Sequence, residues 1–587
     1  MSKIVKLGGA SGYWGESDMA WGQLLAAEKT GQKLDYIVFD YLAEITMSIM
    51  AKMRKSDPNR GYAPDFVANL AKHLPEIARQ GVKVCSNAGG VNPEGCAAAV
   101  REAVAMAGLD LKVAVITGDD FLHRLDALED ATEMFTGEQF PDPKTVVSAN
   151  AYLGAFPVAK ALANGADIVI TGRCVDSAVT LGALIHEFGW QPDDLDKLAQ
   201  GSLVGHLIEC GPQVTGGNFT DWKQVADTLV DVGYPIAEVS DDGSCIITKP
   251  DGTGGIVNRG TVCEQMVYEI GDPAAYYLPD VVCDFTQVTI EQVGPDRVLA
   301  SGARGLGVPD TYKASVTVAD GHRLSAIFFM VGEDAAEKAQ LFFKASMTRA
   351  RRKLRDRNMA DYTHVELELT GNDFHYGAFA RDRDPLEVAF RISVRHEEAS
   401  ACTLMLKEAS GFALAMPPGF ALFAGARPKP QAVVRLYSTL IDKSVPNVRI
   451  DDAPFTPAAP VALQTPDRMV PDAPSQPADT NVPLVELAWL RSGDKGDKSN
   501  IGVIARKPEF MPYIWAALSE AAVRERFAHF VEGDVERWYL PGSESMNILM
   551  DEALGGGGMA SLRNDSQGKS FGQILAVMPI PVPSALL

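Results

Sequence analysis

The stretch Ala166-Asp-Ile-Val-Ile-Thr-Gly-Arg-Cys-Val-Asp176 decides how the first part of the chain is read. Its apolar run, Asp167–Ile170, does not alternate, and a glycine, a base and an acid follow within six residues. A strand buried on both faces needs such a continuous run, whereas a half-exposed strand would alternate. The same pattern recurs upstream. Lys3–Leu7 runs into Gly8-Gly9, Tyr36–Phe39 into Asp40, Val82–Cys85 into Ser86-Asn87, and Lys112–Ile116 into Gly118-Asp119-Asp120. Helical stretches such as Asp65–Gln80 and Pro93–Ala107 lie between them. Short buried strands alternating with helices predict a parallel α/β region over about residues 1–212.

From about residue 213 the texture changes. Alternating strands are expected at Cys245–Thr248, Val282–Gln287, Lys313–Val318 and Val365–Leu369, with a basic helix at Ala335–Asn358. Residues 213–450 therefore read as α+β and complete a core of residues 1–450. Asp451–Pro483 carries eight prolines and reads as an extended linker. Leu484–Leu587 is long enough to fold alone. Its expected order is strand Val485–Leu490, strand Ile501–Ala505, helix Tyr513–Phe530, strand Val535–Tyr539, further helix, then strand Gln573–Met578. That order is similar to a small ferredoxin-like α+β domain.

Bulk properties narrow the function. A chain of 587 residues predicts several domains, and a net charge of -22 argues against nucleic acid, which selects a basic footprint. No apolar run is long enough for a bilayer, and the start, MSKIVKLGGA, lacks a signal-peptide pattern, so a cytoplasmic location is expected. The eight cysteines are scattered without a CxxC pair, which fits reduced thiols. Cys174 and Cys210, each beside a strand end, are the ones to test as nucleophiles.

Ligands of open α/β sheets bind beyond the carboxyl ends of the strands. There the chain offers Asp119, Asp120 and Asp176 as acid–base groups, and Arg173 to hold a carboxylate or thioester oxygen. Gly9, Ser11, Asn87, Gly89, Gly90 and Thr171 would bring backbone N–H groups and small polar side chains close to a ligand. The competing reading is that Gly and Asp at strand ends are ordinary turn formers and helix caps. His206 and Glu209 stand one helical turn apart and could work as an acid–base pair. The loop Asp251–Arg259, with Gly254, Asn258 and Arg259, could seat an anion or simply turn the chain.

Cofactor motifs are lacking. Gly8–Gly15 reads G-G-A-S-G-Y-W-G, not the dinucleotide pattern G-x-G-x-x-G. The loop in LRSGDKGDKSNIGV, Leu490–Val503, is not a P-loop either: Ser492 and Asp497 stand where both glycines belong, and a strand follows instead of a helix. Its cluster Asp494, Lys495, Asp497 and Lys498 is either a solvated hairpin or a docking contact with the large domain, a neighbouring subunit or a ligand at their junction. No histidine pair has metal-ligand spacing, so no metal ligand is assigned; a carboxylate-bound Mg2+ stays open.

Taken together, GGASGYWGES, CSNAGGVNPEG, ITGRCVDSA, ECGPQVTGGNF, DGTGGIVNRGTV and SGDKGDKSNIG resemble the acyclic terpene utilisation family, AtuA. The resemblance covers the core and the small C-terminal domain, which in that family is ferredoxin-like. It implies a bacterial cytoplasmic protein of terpenoid catabolism, a route for alcohols such as citronellol and geraniol that runs through acyl-CoA thioesters. It carries over no catalytic residue. The expected function is an enzyme acting on an acyl-CoA or branched carboxylic acid, of hydratase, lyase or isomerase type. The alternative is a non-catalytic subunit of a multienzyme acyl-CoA-processing assembly. Expected partners are the small-molecule substrate and further copies of the chain in a homo-oligomer, with no nucleic acid and no membrane.

Overall fold

The computed structural model describes residues 3–16, 18–381, 384–422, 427–558 and 560–587. Its centre is a mixed sheet. Five parallel strands lie in the order Val5–Gly9, Tyr36–Phe39, Lys83–Ser86, Ile168–Thr171, Val113–Thr117. Antiparallel strands extend both edges: Ile236–Val239, Cys245–Thr248, Arg297–Ser301 and Thr289–Gly294 on one side, Arg449–Ile450 and Ala453–Pro454 on the other. The unalternating run explains itself at Ile168–Thr171. Ile168 and Ile170 enter the core under helices Met19–Ala26, Pro64–Gln80 and Pro93–Met106, while Val169 enters the opposite core under Phe156–Ala163, Ala178–Phe188 and Leu195–Ile208. Each face of the strand is covered, so each position must be apolar.

The second sheet is built on one strand of 21 residues, Thr311–Val331. It pairs with Glu387–His396, Phe420–Leu422, Gln431–Asp442 and Val146–Ala151, and Glu387–His396 pairs with His364–Thr370. The expected strand Lys313–Val318 is only its first third. Polar Asp320-Gly321-His322 masks the continuation, at a bulge between Ala319 and His322. Helices Ala335–Asp356 and Ala399–Phe412 cover one face with a core of their own. The same sheet recruits Val146–Ala151 from the parallel region, a strand whose Ser148 and Asn150 hide it from a hydropathy pattern.

The C-terminal domain holds four antiparallel strands in the order Ala488–Lys495, Lys498–Ala505, Ser545–Met550, Val535–Leu540. Three expectations need correction. Val485–Leu490 begins as a helical turn, Leu484–Leu487, and the strand starts at Ala488. The single helix Tyr513–Phe530 is two, Met511–Ala517 and Glu520–Arg526, because Ser519 interrupts the first and caps the second by accepting the Ala522 N–H. Gln573–Met578 belongs mostly to helix Phe571–Ala576, and the strand is Pro579–Val582. A short apolar run fits either state; here Asp565 accepts the N–H groups of Lys569 and Ser570 just ahead of the helix. Among the described residues no helix is long and apolar enough to cross a membrane.

The small domain is docked rather than loosely tethered. Arg491 reaches from its first strand to Glu264 on helix Arg259–Met266, at 2.7 Å with both side chains buried, and also binds Gln213 and the Gly217 carbonyl. Asn500 donates to the Val267 carbonyl and accepts from the Glu269 N–H. Asn547 donates to the Ile270 carbonyl. Arg506 and Trp489 both bind Asp221. The proline-rich segment also lies on the core: Val461 and Val308 exchange both backbone hydrogen bonds, and Gln464 donates to the Leu306 carbonyl.

Candidate functional site

A cavity of about 940 Å³ opens where three parts of the chain meet. Val175, Asp176 and Ser177 come from the loop after strand Ile168–Thr171, and His206 and Glu209 from the end of helix Leu195–Ile208. Lys313 and Thr311 come from the start of the long strand. Pro460–Leu463 of the proline-rich segment forms one wall, and Lys495 and Lys498 of the C-terminal hairpin close another. Apolar side chains such as Leu278, Val308, Leu440, Val461, Leu463 and Leu549 line much of the rest. Size and lining suit a small organic ligand with few polar groups.

The polar end is organised around a pair. His206 is buried, with Nε2 3.1 Å from the Met266 carbonyl oxygen and Nδ1 3.0 Å from Glu209 Oε1. A carbonyl only accepts, so Nε2 carries a proton. The contact between Nδ1 and Oε1 then needs a second proton, on either atom. The two residues together hold that one transferable proton and no net charge. Burial pushes the Glu209 carboxyl up and nearby Asp176 adds to this, against the pull of His206 and Lys495. Phe285 and Tyr276 pack beside the imidazole ring.

Asp176 lines the cavity and is held by Arg173, whose Nη1 donates to its Oδ1 at 2.8 Å and to the Leu42 carbonyl at 2.9 Å. The Arg173 guanidinium lies 4.0 Å from the Tyr152 ring centroid, and its side chain is buried behind Asp176. Asp40 is buried close by; burial first, then Asp176, raises its carboxyl well above the usual range, against Arg173. Lys495 sits half-buried with its ammonium 5.5 Å from the Tyr276 ring centroid. Burial opposes its charge, but Tyr276, Glu269, Asp176 and Glu209 outweigh burial and raise it. Burial lifts the Tyr276 hydroxyl to about 12 against the pull of Lys495.

The structure thus brings Asp176, His206 and Glu209 together, with Arg173 directly behind. The other residues singled out in the sequence lie elsewhere. Asp119 is buried under the strand ends, where it accepts the Arg173 N–H and the Asn150 amide, each at 2.9 Å, and burial lifts it to about 7. Asp120 pairs with Arg54 at 3.3 Å. Asn87 binds the Asp40 carboxylate and accepts the Tyr41 N–H. Gly89 packs its Cα against the Thr171 carbonyl, and Gly90 adopts a positive φ of 54°. Thr171 donates to the Gly172 carbonyl. Gly9 abuts the Ile208 carbonyl, and Ser11 donates to the Tyr13 carbonyl; Ser17 lies outside the described residues.

Gly254 packs against the Thr228 carbonyl, and Asn258 caps helix Arg259–Met266 in a reciprocal box with Thr261. Arg259 reaches the Ala505 and Ser543 carbonyls of the C-terminal domain. Burial raises the Cys174 thiol to about 12 and the Cys210 thiol well above its usual value, so both are protonated. Among the described residues, no group of three or more His, Cys, Asp or Glu side chains is placed to hold a metal ion.

The sequence singles out neither Tyr276, Lys313 and Ser177 nor the Pro460–Leu463 wall, and it offers Lys495 only within a charged loop that is either a solvated hairpin or a docking contact with the large domain, a neighbouring subunit or a ligand at their junction. Ser177 simply follows Asp176 in the chain; the others approach from separate segments, so their signal is long-range. The one local hint was the charged loop itself, whose four ionisable residues around Gly496 exceed what a two-residue turn needs.

Fold and cavity define a mixed α/β protein with a docked C-terminal domain and a proton-holding pocket beyond the carboxyl end of strand Ile168–Thr171. Residues 5–451 match the model of the acyclic terpene utilisation family protein AtuA, and residues 482–581 match the AtuA ferredoxin-like domain. The chain belongs to the acyclic terpene utilisation family. No curated protein and no solved structure matches it significantly.

Proposed function

We propose that the chain is an enzyme that moves protons on a branched, largely apolar carboxylic acid or its acyl-CoA thioester, as a hydratase, lyase or isomerase. The observation that carries this reading is the His206–Glu209 pair, sharing one proton at the polar end of an otherwise apolar cavity. Hydration, elimination and double-bond migration each need one group to take a proton from carbon or water and another to return it. In this reading Glu209 and His206 exchange that proton with the ligand, Asp176 is the second acid–base group, and Arg173 fixes its orientation. The apolar wall binds the hydrocarbon and excludes water, which strengthens the charges at the polar end. A family of acyclic terpene utilisation fits a branched hydrocarbon ligand.

The test is a panel of branched, α,β-unsaturated and 3-hydroxy acids with their CoA thioesters, incubated with the protein in heavy water. Mass spectrometry then reads solvent deuterium in the acyl chain, or gain or loss of one water. Turnover of any member, abolished in His206→Gln, supports the reading; a wild-type protein inert toward the whole panel sinks it.

A further inference from the structure

We propose that Lys495, carried into the cavity by the hairpin of the C-terminal domain, binds the carboxylate of the ligand. The proposal rests on the function argued above and names the charge at the head of its ligand. It also makes the C-terminal domain a component of the binding site rather than an accessory.

Three observations carry it. The first is placement. Strands Ala488–Lys495 and Lys498–Ala505 turn through Gly496-Asp497, and the last residue of the first strand lines the same cavity as His206, Glu209 and Asp176. The second is charge pairing. Three acids act on Lys495, and each is engaged by another base: Asp176 by Arg173 at 2.8 Å, Glu209 by His206 at 3.0 Å, and Glu269 by Lys569 at 2.8 Å. Among the described residues Lys495 joins no ion pair of its own; its partner is Tyr276, which is neutral at ordinary pH. A half-buried ammonium with a neutral neighbour and an open cavity in front of it is a site for an anion.

The third is the fixed position of the hairpin. Asp497, next but one in the chain, accepts the N–H groups of Leu554 and Gly556, and Lys498 pairs with Asp551 at 2.6 Å. On the other flank Arg491 anchors the strand to Glu264. The ammonium is therefore held in place before any ligand arrives, and little ordering remains to be done on binding. Of the other lysines of the wall, Lys498 is held by Asp551 and Lys313 lies 4.9 Å from the Tyr152 ring centroid.

Calorimetry on the full chain tests this with one branched medium-chain acid and its primary amide, which share a hydrocarbon and differ in charge. The wild type is expected to bind the acid at least about tenfold more tightly than the amide. Lys495→Met, which keeps the aliphatic stem, is expected to erase that ratio and leave the amide affinity unchanged, while Lys495→Arg keeps a preference for the acid. A preference that survives in Lys495→Met overturns the proposal. So does equal binding of acid and amide by the wild type, a result that leaves the apolar pocket and the proposed function standing. Binding of neither compound overturns both. Should Lys495→Met fail to fold, the wild-type ratio and Lys495→Arg decide by the same criteria.

Discussion

Two glycine-rich loops, Gly8–Gly15 after the first strand and Gly493–Lys498 in the C-terminal hairpin, invite the same first reading as grips for an anion. The structure separates them. The first is closed on itself from Gly8 to Gly12 and open only at its far end, Gly15. Glu16 accepts the Gly12 N–H at 2.8 Å and the Tyr234 hydroxyl at 2.6 Å, Gly9 abuts the Ile208 carbonyl, and Gly12 abuts Cys210. Its missing side chains let one backbone approach another, and the end of helix Leu195–Ile208 is thereby drawn against the sheet. The second loop has an open side: at Gly496, with a φ of 67°, an added Cβ would meet nothing within 4 Å. Its neighbour Lys495 lines the cavity. A glycine in a loop therefore reports close approach or a left-handed backbone, and only the tertiary structure says whether the approaching group is protein or ligand.

The contrast can be broken at several points. The largest effect is expected where the first loop delivers its benefit, at the helix end that carries the proton pair. His206→Gln and Glu209→Gln are each expected to lower turnover by about 10²–10⁴-fold, the usual contribution of a positioned acid–base group. Steady-state kinetics and a folded circular dichroism spectrum together check this; near-wild-type turnover in both variants would remove the pair from the mechanism.

Next comes the joint that positions the second loop. Arg491→Met leaves Glu264 buried without its partner and is expected to cost about 3–5 kcal/mol in urea denaturation. Adding Glu264→Gln should recover a large part of the loss, because the penalty is mainly that of an uncompensated buried charge. A single variant as stable as the wild type would mean that the two domains do not depend on this contact.

How much of this was legible follows from the range of the interactions. The five parallel strands were readable because burial on both faces imposes a local pattern, seen at Ile168–Thr171. Asp176, His206 and Glu209 were readable because strand ends and one-turn spacing are local too. Thr311–Val331 was legible only in part, since its polar middle sits at a bulge that partner strands stabilise. Tyr276, Lys313 and Pro460–Leu463 left no trace because nothing in their own neighbourhoods requires them to face His206. Asp119 reads as an acid at a strand end; it lies buried outside the cavity lining, where it accepts the Arg173 N–H.

Asp119 also yields a pH signature. In the folded chain burial holds its proton up to about 7, whereas an unfolded aspartate releases it near about 3.9. Between these values the native state binds more protons than the unfolded state, so this group's stabilising contribution falls as the pH rises. The slope has a ceiling of about 1.4 kcal/mol per pH unit. Asp119→Asn removes the titration. Its stability relative to the wild type is expected to improve between pH 5 and pH 7 by about 1–3 kcal/mol, as read from paired urea midpoints. A constant difference across that range would show that Asp119 is ionised in the fold.

The smallest effect of all, at Gly496, is read against Gly9 and compares the two loops directly. Gly9→Ala adds a Cβ against the Ile208 carbonyl, a backbone atom that cannot swing aside, so a loss near the upper end of the about 1–3 kcal/mol cost of overpacking is expected. Gly496→Ala meets no atom and pays only for its left-handed backbone, about 1–2 kcal/mol. The reduced entropy of the unfolded chain returns about 0.4–1 kcal/mol of that. The net should be about 1 kcal/mol or less, with Lys495 left in place and ligand affinity unchanged. Thermal denaturation of the two variants side by side checks the order. Equal losses would mean that the hairpin turn is as tightly packed as the first loop, and the open side attributed to the second loop would disappear with that result.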